Sequence, residues 1–266
     1  MRVRLFGIVA PGLLLCSFAA QGAETKEPAP EEIIQKFAAK EAEFAKARER
    51  YTYRQSLKIQ ELTPSGAVQG QHEMVSDIIF SPEGKRTERV VRAPVSTLHL
   101  MLDPGDEQDL RNVQPFVLTT NDISKYDIRY LGKQKVDEIP CYQFAVKPKK
   151  MESGQRYFEG EIWVDDRDFQ IVKTYGKGVG LLKKGADNQY PRFETYREQI
   201  DGKYWFPTYT RADDVLHFKD QDQRLKMTVK YEDYKQFKAE SSITFIDDAK
   251  DGAATPPPAK TPEKKK

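Results

Sequence analysis

Apolar and polar residues alternate in a series of short segments between about residues 51 and 234. Around Trp163, for example, Ile162 and Val164 fall on one side of a strand and Trp163 on the other. This alternation, with turn residues between segments, is typical of antiparallel strands that bury one face of a sheet. The dipeptide Asp201-Gly202 joins two such segments and predicts a tight hairpin turn. We therefore predict a mainly β chain, with an apolar sheet face that other residues must cover.

One amphipathic helix precedes the strands. Ile34, Phe37 and Phe44 belong to an apolar stripe that recurs every three or four residues, which predicts a helix from about Glu31 to Arg50. A single helix covers only part of so long a sheet. We therefore expect an α+β arrangement: a strongly curved antiparallel sheet, or half-open β-barrel, with the N-terminal helix packed on its concave side.

Bulky apolar side chains occur on the helix and on many strands. If the sheet curves strongly, one helix cannot fill its concave side, and the remaining space forms a ligand cavity. Acyl chains suit such a cavity because burying each methylene group contributes about 0.8 kcal/mol. The alternative is that the same side chains fill an ordinary core. The candidates for lining a lipid cavity are Phe37, Phe44, Phe80, Tyr142, Phe144, Trp163, Tyr204 and Phe206.

Residues 1–23 have the features of a secretory signal peptide. Arg2 and Arg4 precede an apolar stretch, and small residues follow up to Ala23. The stretch is shorter than the ~20 residues of a membrane-spanning helix, so we expect cleavage, a periplasmic protein and no transmembrane segment thereafter. Lipidation of Cys16 is the alternative, disfavoured because no small residue precedes it. We expect residues 24–30 to form a leader, residues 31–247 the folded domain, and residues 248–266 a disordered tail rich in proline and lysine.

The charge balance argues against nucleic-acid binding. Loss of Arg2 and Arg4 with the signal brings the 43 basic residues down to equality with the 41 acidic ones. A protein that binds nucleic acid through its phosphates needs a basic excess on some face.

Groups for catalysis are few, so we expect no enzyme activity and no cofactor or metal. None of the three histidines has metal-ligand spacing to another, and no nucleophile elbow is present. Asp213, Asp214 and His217 are most simply a solvated strand end. The acidic segment 103–109 lacks EF-hand spacing and is predicted to be a solvent-exposed loop. The glycine-rich segment 176–185 is also predicted to be a loop, and Cys141 a buried, unreactive side chain.

Four phrases of the chain resemble the LolA/LolB-like superfamily of outer-membrane lipoprotein-sorting proteins. They are YTYRQSLKIQ, YLGKQKVDEIPCYQFAVKPK, EGEIWVDDRDFQIVKTYG and FETYREQIDGKYWFPTYTRADD. The resemblance implies an open β-barrel capped by helices, and a protein that carries lipid-modified clients through the periplasm. Related barrels act as sensors that bind mislocalised lipoproteins and restrain a membrane-bound regulator.

Two functions follow as expectations. The first is a periplasmic, non-enzymatic carrier that binds a lipid acyl chain or a lipoprotein in a half-barrel cavity. The second is a protein-binding regulatory or sensor module on the same fold, with an envelope protein as partner. No functional residue of the superfamily is carried over to a position of this chain.

Overall fold

The computed structural model describes residues 27–81, 83–182 and 189–237. A helix, α1 (Pro30–Arg48), precedes ten strands, and a short helix, α2 (Pro104–Gln108), lies between the third and fourth. The strands are β1 (Tyr51–Leu62), β2 (Val68–Phe80), β3 (Arg86–Arg92), β4 (Tyr126–Val136), β5 (Ile139–Pro148), β6 (Tyr157–Asp165), β7 (Ile171–Val179), β8 (Phe193–Ile200), β9 (Tyr204–His217) and β10 (Asp222–Gln236).

All ten strands belong to one antiparallel sheet. Its order is β3-β2-β1-β10-β9-β8-β7-β6-β5-β4, so every neighbouring pair but one is consecutive in the chain. The exception is β1 with β10, paired from Tyr51 opposite Gln236 to Leu62 opposite Arg224. Among the described strands, β3 and β4 are the edges and do not pair with each other. The predicted fold class, an open antiparallel sheet with an N-terminal helix, is confirmed.

Helix α1 forms where the sequence predicts it. Pro30 occupies the first turn together with two glutamates, and basic residues occupy the last turn, which suits both ends of the helix dipole. Its buried stripe faces the sheet: Phe37 packs on Phe144 of β5 with ring centroids 5.5 Å apart, and Phe44 packs edge-on against Phe206 of β9 at 5.1 Å. The helix therefore covers the part of the sheet around β5 to β9.

The irregular segment between β3 and β4 covers more of the same sheet face. Val113, Phe116 and Leu118 from this segment are buried in the core cluster that also contains Phe37 and strand residues such as Ile59. The chain turns through α2 and then a single π-helical turn, Asp109–Val113. The apolar face that one helix leaves open is thus covered by a second, mostly non-helical element.

Two turn predictions have different outcomes. Asp201 and Gly202 have φ of 55° and 67°, as the predicted tight hairpin between β8 and β9 requires. The prediction of a loop over residues 176–185 is wrong for its first part, because β7 continues to Val179, and residues 183–188 lie outside the described part. Gly160 and Gly176 are register partners in β6 and β7, and a Cβ on either would meet the backbone of the other strand.

Candidate functional site

A cavity of about 310 Å³ lies between the sheet and residues 97–110, which we call the roof segment. The sheet contributes Ile59 of β1 together with Leu225 and Met227 of β10, all buried. The roof segment contributes Leu98 and Leu100, among other residues. These side chains belong to or pack against the main core cluster, so the cavity is a continuation of the core.

The roof segment reaches solvent at one end of the cavity. Met101 and Leu102 line the cavity, yet they are 92% and 42% exposed. Single exposed apolar side chains are common on protein surfaces, whereas contiguous exposed apolar residues mark binding surfaces. Here two such residues are adjacent and stand at the rim of an apolar cavity.

Glu61 of β1 fastens the roof segment to the sheet. Its buried carboxylate accepts hydrogen bonds from the backbone N–H groups of His99 at 3.0 Å and Leu100 at 2.6 Å, and lies 2.8 Å from Nδ1 of His99. Burial acts to raise the pKa of Glu61, but these hydrogen bonds outweigh it and the pKa is lowered. The Glu61 carboxylate therefore accepts backbone hydrogen bonds that a neighbouring strand would otherwise accept.

The start of the roof segment also pairs with β2. The N–H of Thr97 donates to the carbonyl of Gln71 at 2.9 Å, and the N–H of Gln71 donates to Thr97 Oγ1 at 2.9 Å. Because Gly70 has no side chain, the roof segment can lie close to β2 at this point. A Cβ at residue 70 would lie 2.5 Å from Glu61 Oε2 and 2.7 Å from the Thr97 carbonyl oxygen.

Three aspartates of the roof segment line the cavity: Asp103, Asp106 and Asp109. Asp103 and Asp106 form a reciprocal capping box at the start of α2, with N–H to carboxylate distances of 2.9 and 2.8 Å. Burial, together with the charges of Asp103 and Asp109, raises the pKa of Asp106 to about 6. Asp106 is therefore ionised only above mildly acidic pH.

Asp109 forms a buried ion pair with Arg156 in the wall of the cavity. The guanidinium donates from Nε at 2.9 Å and from Nη2 at 2.6 Å, and both side chains are largely buried. The same guanidinium lies 3.6 Å from the ring centre of Tyr190, whose hydroxyl donates to Asp103 Oδ2 at 3.1 Å. This network connects the roof segment to the residue that precedes β6 and to the residues before β8.

These contacts correct the prediction for segment 103–109, which is wrong in calling it a solvent-exposed loop. Asp109 is buried, and Asp103 and Asp106 are partly buried. Sequence reasoning missed the three as cavity residues because their partners Arg156 and Tyr190 are far away in the chain. The available signal was local: Asp103-Pro104 followed by Asp106 is a helix-start pattern.

The eight lipid-cavity candidates lie elsewhere. In the described part of the chain, none of them lines the cavity under the roof segment. Phe37, Phe80, Tyr142 and Phe144 are buried in the main cluster. Phe44, Tyr204 and Phe206 meet in a smaller cluster with Tyr51, and Trp163 packs with Cys141 and Val172. The structure brings most of them together beneath α1, and their contact with lipid stays a prediction.

The groups considered for catalysis or metal binding have ordinary partners. Asp213 pairs with Arg224, and His217 Nδ1 lies 2.8 Å from Asp222. Cys141 is buried, which raises the pKa of its thiol to about 12. Over residues 27–81, 83–182 and 189–237, no cluster of histidine, cysteine and acidic residues is arranged to hold a metal ion. No helix in that same part of the chain is long and apolar enough to span a membrane.

No protein-family model matches the chain, and no curated protein matches it. Among solved structures, it is similar to a DUF1329 family protein from Desulfovibrio piger (TM-score 0.46, 15% identity), over 80% of this chain and 96% of that one. A LolA superfamily protein from Nitrosomonas europaea is similar over 79% of this chain and 95% of its own (TM-score 0.36, 12% identity).

A third similar structure is an outer membrane lipoprotein-sorting protein domain, described as putative, from Vibrio parahaemolyticus. It has a TM-score of 0.35 and 11% identity, over 76% of this chain and 93% of that one. Structural neighbours thus include the superfamily that the sequence phrases resemble.

Proposed function

We propose that this chain is a periplasmic, non-enzymatic protein that binds an acyl chain, of a lipid or of a lipoprotein, in the cavity under the roof segment. The observation that supports the proposal is the cavity of about 310 Å³, walled mainly by apolar side chains and bordered by the exposed Met101 and Leu102. The predicted export signal supports the location, and the resemblance to lipoprotein-sorting proteins supports a role as carrier.

The size and lining of the cavity suit one apolar chain. Ligand cavities in proteins range from about 300 to 1,000 Å³, so this one is at the small end of the range. Each buried methylene group contributes about 0.8 kcal/mol, and a chain leaving through the rim would also cover Met101 and Leu102. The roof segment is held by hydrogen bonds rather than by a continuous strand, so its release would open the cavity without breaking the sheet.

A neutral apolar probe tests binding without involving the acidic groups. We expect N-phenyl-1-naphthylamine, which is uncharged at neutral pH, to fluoresce strongly on binding and to be displaced by octanol. Leu98→Trp fills the cavity from the partly buried roof side and should weaken probe binding at least about tenfold. The matched control is Val95→Trp, which adds the same ring at a 92% exposed position outside the cavity and should bind the probe as the wild type does.

Two results would contradict binding of an acyl chain in this cavity. If the wild type does not bind the probe, and native mass spectrometry of the mildly purified protein shows no retained lipid, the carrier proposal is wrong. Equal probe binding by Leu98→Trp and the wild type would place any apolar site elsewhere, for example among the eight aromatic candidates.

The second candidate, a protein-binding regulatory or sensor module, is favoured by the packing beneath α1. Phe37, Phe44, Phe144 and Phe206 have no exposed surface, so that part of the interior is already filled by the chain itself. Crosslinking in envelope extracts distinguishes the two: recovery of a protein partner without lipid, unaffected by Leu98→Trp, supports the module and not the carrier.

A further inference from the structure

The cavity wall under the roof segment has a polar part that an all-apolar ligand would leave unsatisfied. Gln114, just after the π-helical turn, lines the cavity and is only 4% exposed. Its Nε2 donates to Met227 Sδ at 3.4 Å, whereas its Oε1 has no hydrogen-bond partner among residues 27–81, 83–182 and 189–237. A buried carbonyl oxygen without a donor costs free energy, so this position calls for a donor from a ligand.

Asp106 is a second acceptor in the same wall. Its Oδ2 accepts the N–H of Asp103 at 2.8 Å, and within the described residues it forms no ion pair. The guanidinium of Arg156, whose charge acts on Asp106, is engaged by both oxygens of Asp109. The carboxylate of Asp106 therefore has acceptor capacity left for a group inside the cavity.

We infer that the cavity selects amphiphiles by their head group: an apolar chain ending in a hydrogen-bond donor, best a protonated primary amine, is bound in preference to one ending in a carboxylate. This inference rests on the proposed function and specifies its ligand class. The aliphatic wall takes the chain, and Asp106 and Gln114 Oε1 accept hydrogen bonds from the head.

The charges around the cavity favour an ammonium head over a hydroxyl, and a hydroxyl head over a carboxylate. Asp103, Asp106 and Asp109 all line the cavity, so a carboxylate head would lie near like charges in a partly buried site. A hydroxyl head donates one hydrogen bond without a charge and should be intermediate. At neutral pH Asp106 is ionised, since its pKa is about 6, and a charge-assisted hydrogen bond to an ammonium is stronger than a neutral one.

The head-group preference is measured by displacing the neutral fluorescent probe with octylamine, octanol or octanoate. These three competitors have the same chain length and differ only in the head group. We expect octylamine to bind at least about tenfold more tightly than octanoate at neutral pH, with octanol between them. Asp106→Asn should weaken octylamine binding about tenfold and leave octanol binding unchanged. Glu107→Gln is the matched control: it removes a charge from the next residue of α2, which is exposed and outside the cavity, and should change neither.

Gln114→Leu provides a second variant that does not alter charge. It should weaken octanol and octylamine binding, with probe binding as the check that the cavity is intact. Equal affinity for all three octyl compounds in the wild type would overturn the head-group inference while leaving the carrier proposal standing. The inference is also overturned if Glu107→Gln reduces octylamine affinity as much as Asp106→Asn does, because only the net charge of α2 would then matter. Absence of probe binding would overturn both.

Discussion

Arg197 of β8 donates from Nη1 to both carboxylate oxygens of Glu41 of α1, at 3.0 and 3.1 Å, and both side chains are almost wholly buried. Arg197 also donates from Nη2 to the carbonyl of Phe116, and Glu41 accepts the N–H of Ile171 at 3.2 Å. One buried ion pair therefore joins α1, the segment after the roof, β7 and β8. It fixes the position of the helix on the sheet.

Breaking this pair should be costly. Glu41→Gln leaves the Arg197 charge buried without its counter-ion, and we expect a loss of about 3 to 5 kcal/mol in the free energy of unfolding, measured by chemical denaturation. The exposed pair of Glu32 and Lys36 on the same helix provides the control: Glu32→Gln should cost less than about 0.5 kcal/mol. Replacing both Glu41 and Arg197 by Met should cost less than Glu41→Gln alone, and a larger cost would contradict the explanation by an uncompensated charge.

The raised pKa of Asp106 predicts a specific pH dependence of stability. The folded chain holds the proton up to about pH 6, compared with an ordinary pKa of 3.8, so folding takes up protons in this range. The contribution of Asp106 is thus most favourable below pH 3.8 and becomes a penalty as the pH rises through 6. The difference corresponds to at most about 3 kcal/mol, and because the side chain is partly exposed we expect about 1 to 2 kcal/mol.

Asp106→Asn removes this penalty while its amide oxygen still accepts the Asp103 N–H. Its unfolding free energy should exceed that of the wild type at about pH 7.5 and match it at about pH 4. Denaturation curves over this range measure the difference. A constant offset at every pH would show that the substitution acts through packing or capping rather than ionisation.

Glu61 should control the opening of the roof segment. Glu61→Gln replaces one acceptor oxygen by an NH₂ group that faces backbone donors, so the hydrogen bonds from His99 and Leu100 weaken. Hydrogen exchange of the amides of residues 98–102 should become at least about tenfold faster. His99→Ala removes only an exposed ring contact and keeps both backbone hydrogen bonds, so it should leave these rates nearly unchanged. Similar acceleration in both variants would mean that the ring, and not the carboxylate, holds the segment.

The sequence predicts the strands and α1 well because their signals are local. The alternation of apolar and polar residues identifies the strands, and apolar residues every three or four positions identify α1. The dipeptide Asp201-Gly202 identifies the turn between β8 and β9. The helix was expected over about residues 31–50 and runs from Pro30 to Arg48. Burial of Cys141 was also predictable from its place in a strand.

The roof segment was not predictable because its structure depends on distant residues. Glu61 looks like an ordinary polar residue of β1, and it binds backbone groups 38 and 39 residues later. Asp109 and Arg156 are 47 residues apart, so their pairing leaves no local pattern. The aromatic residues, in contrast, are evident in the sequence. They predicted a ligand cavity beneath α1 rather than the cavity under the roof segment.

The pairing of β1 with β10 has a consequence for the order in which the protein is assembled. All other pairs of described strands join chain neighbours and can form as soon as each hairpin has been synthesised, but this one brings together residues from 162 positions apart (Leu62 and Arg224) to 185 positions apart (Tyr51 and Gln236). Until β10 is available, no pairing between the described strands joins β1–β3 to β4–β9. We infer that a chain shortened before Asp222 cannot complete its fold, and that the nascent polypeptide remains open until its last strand has been made.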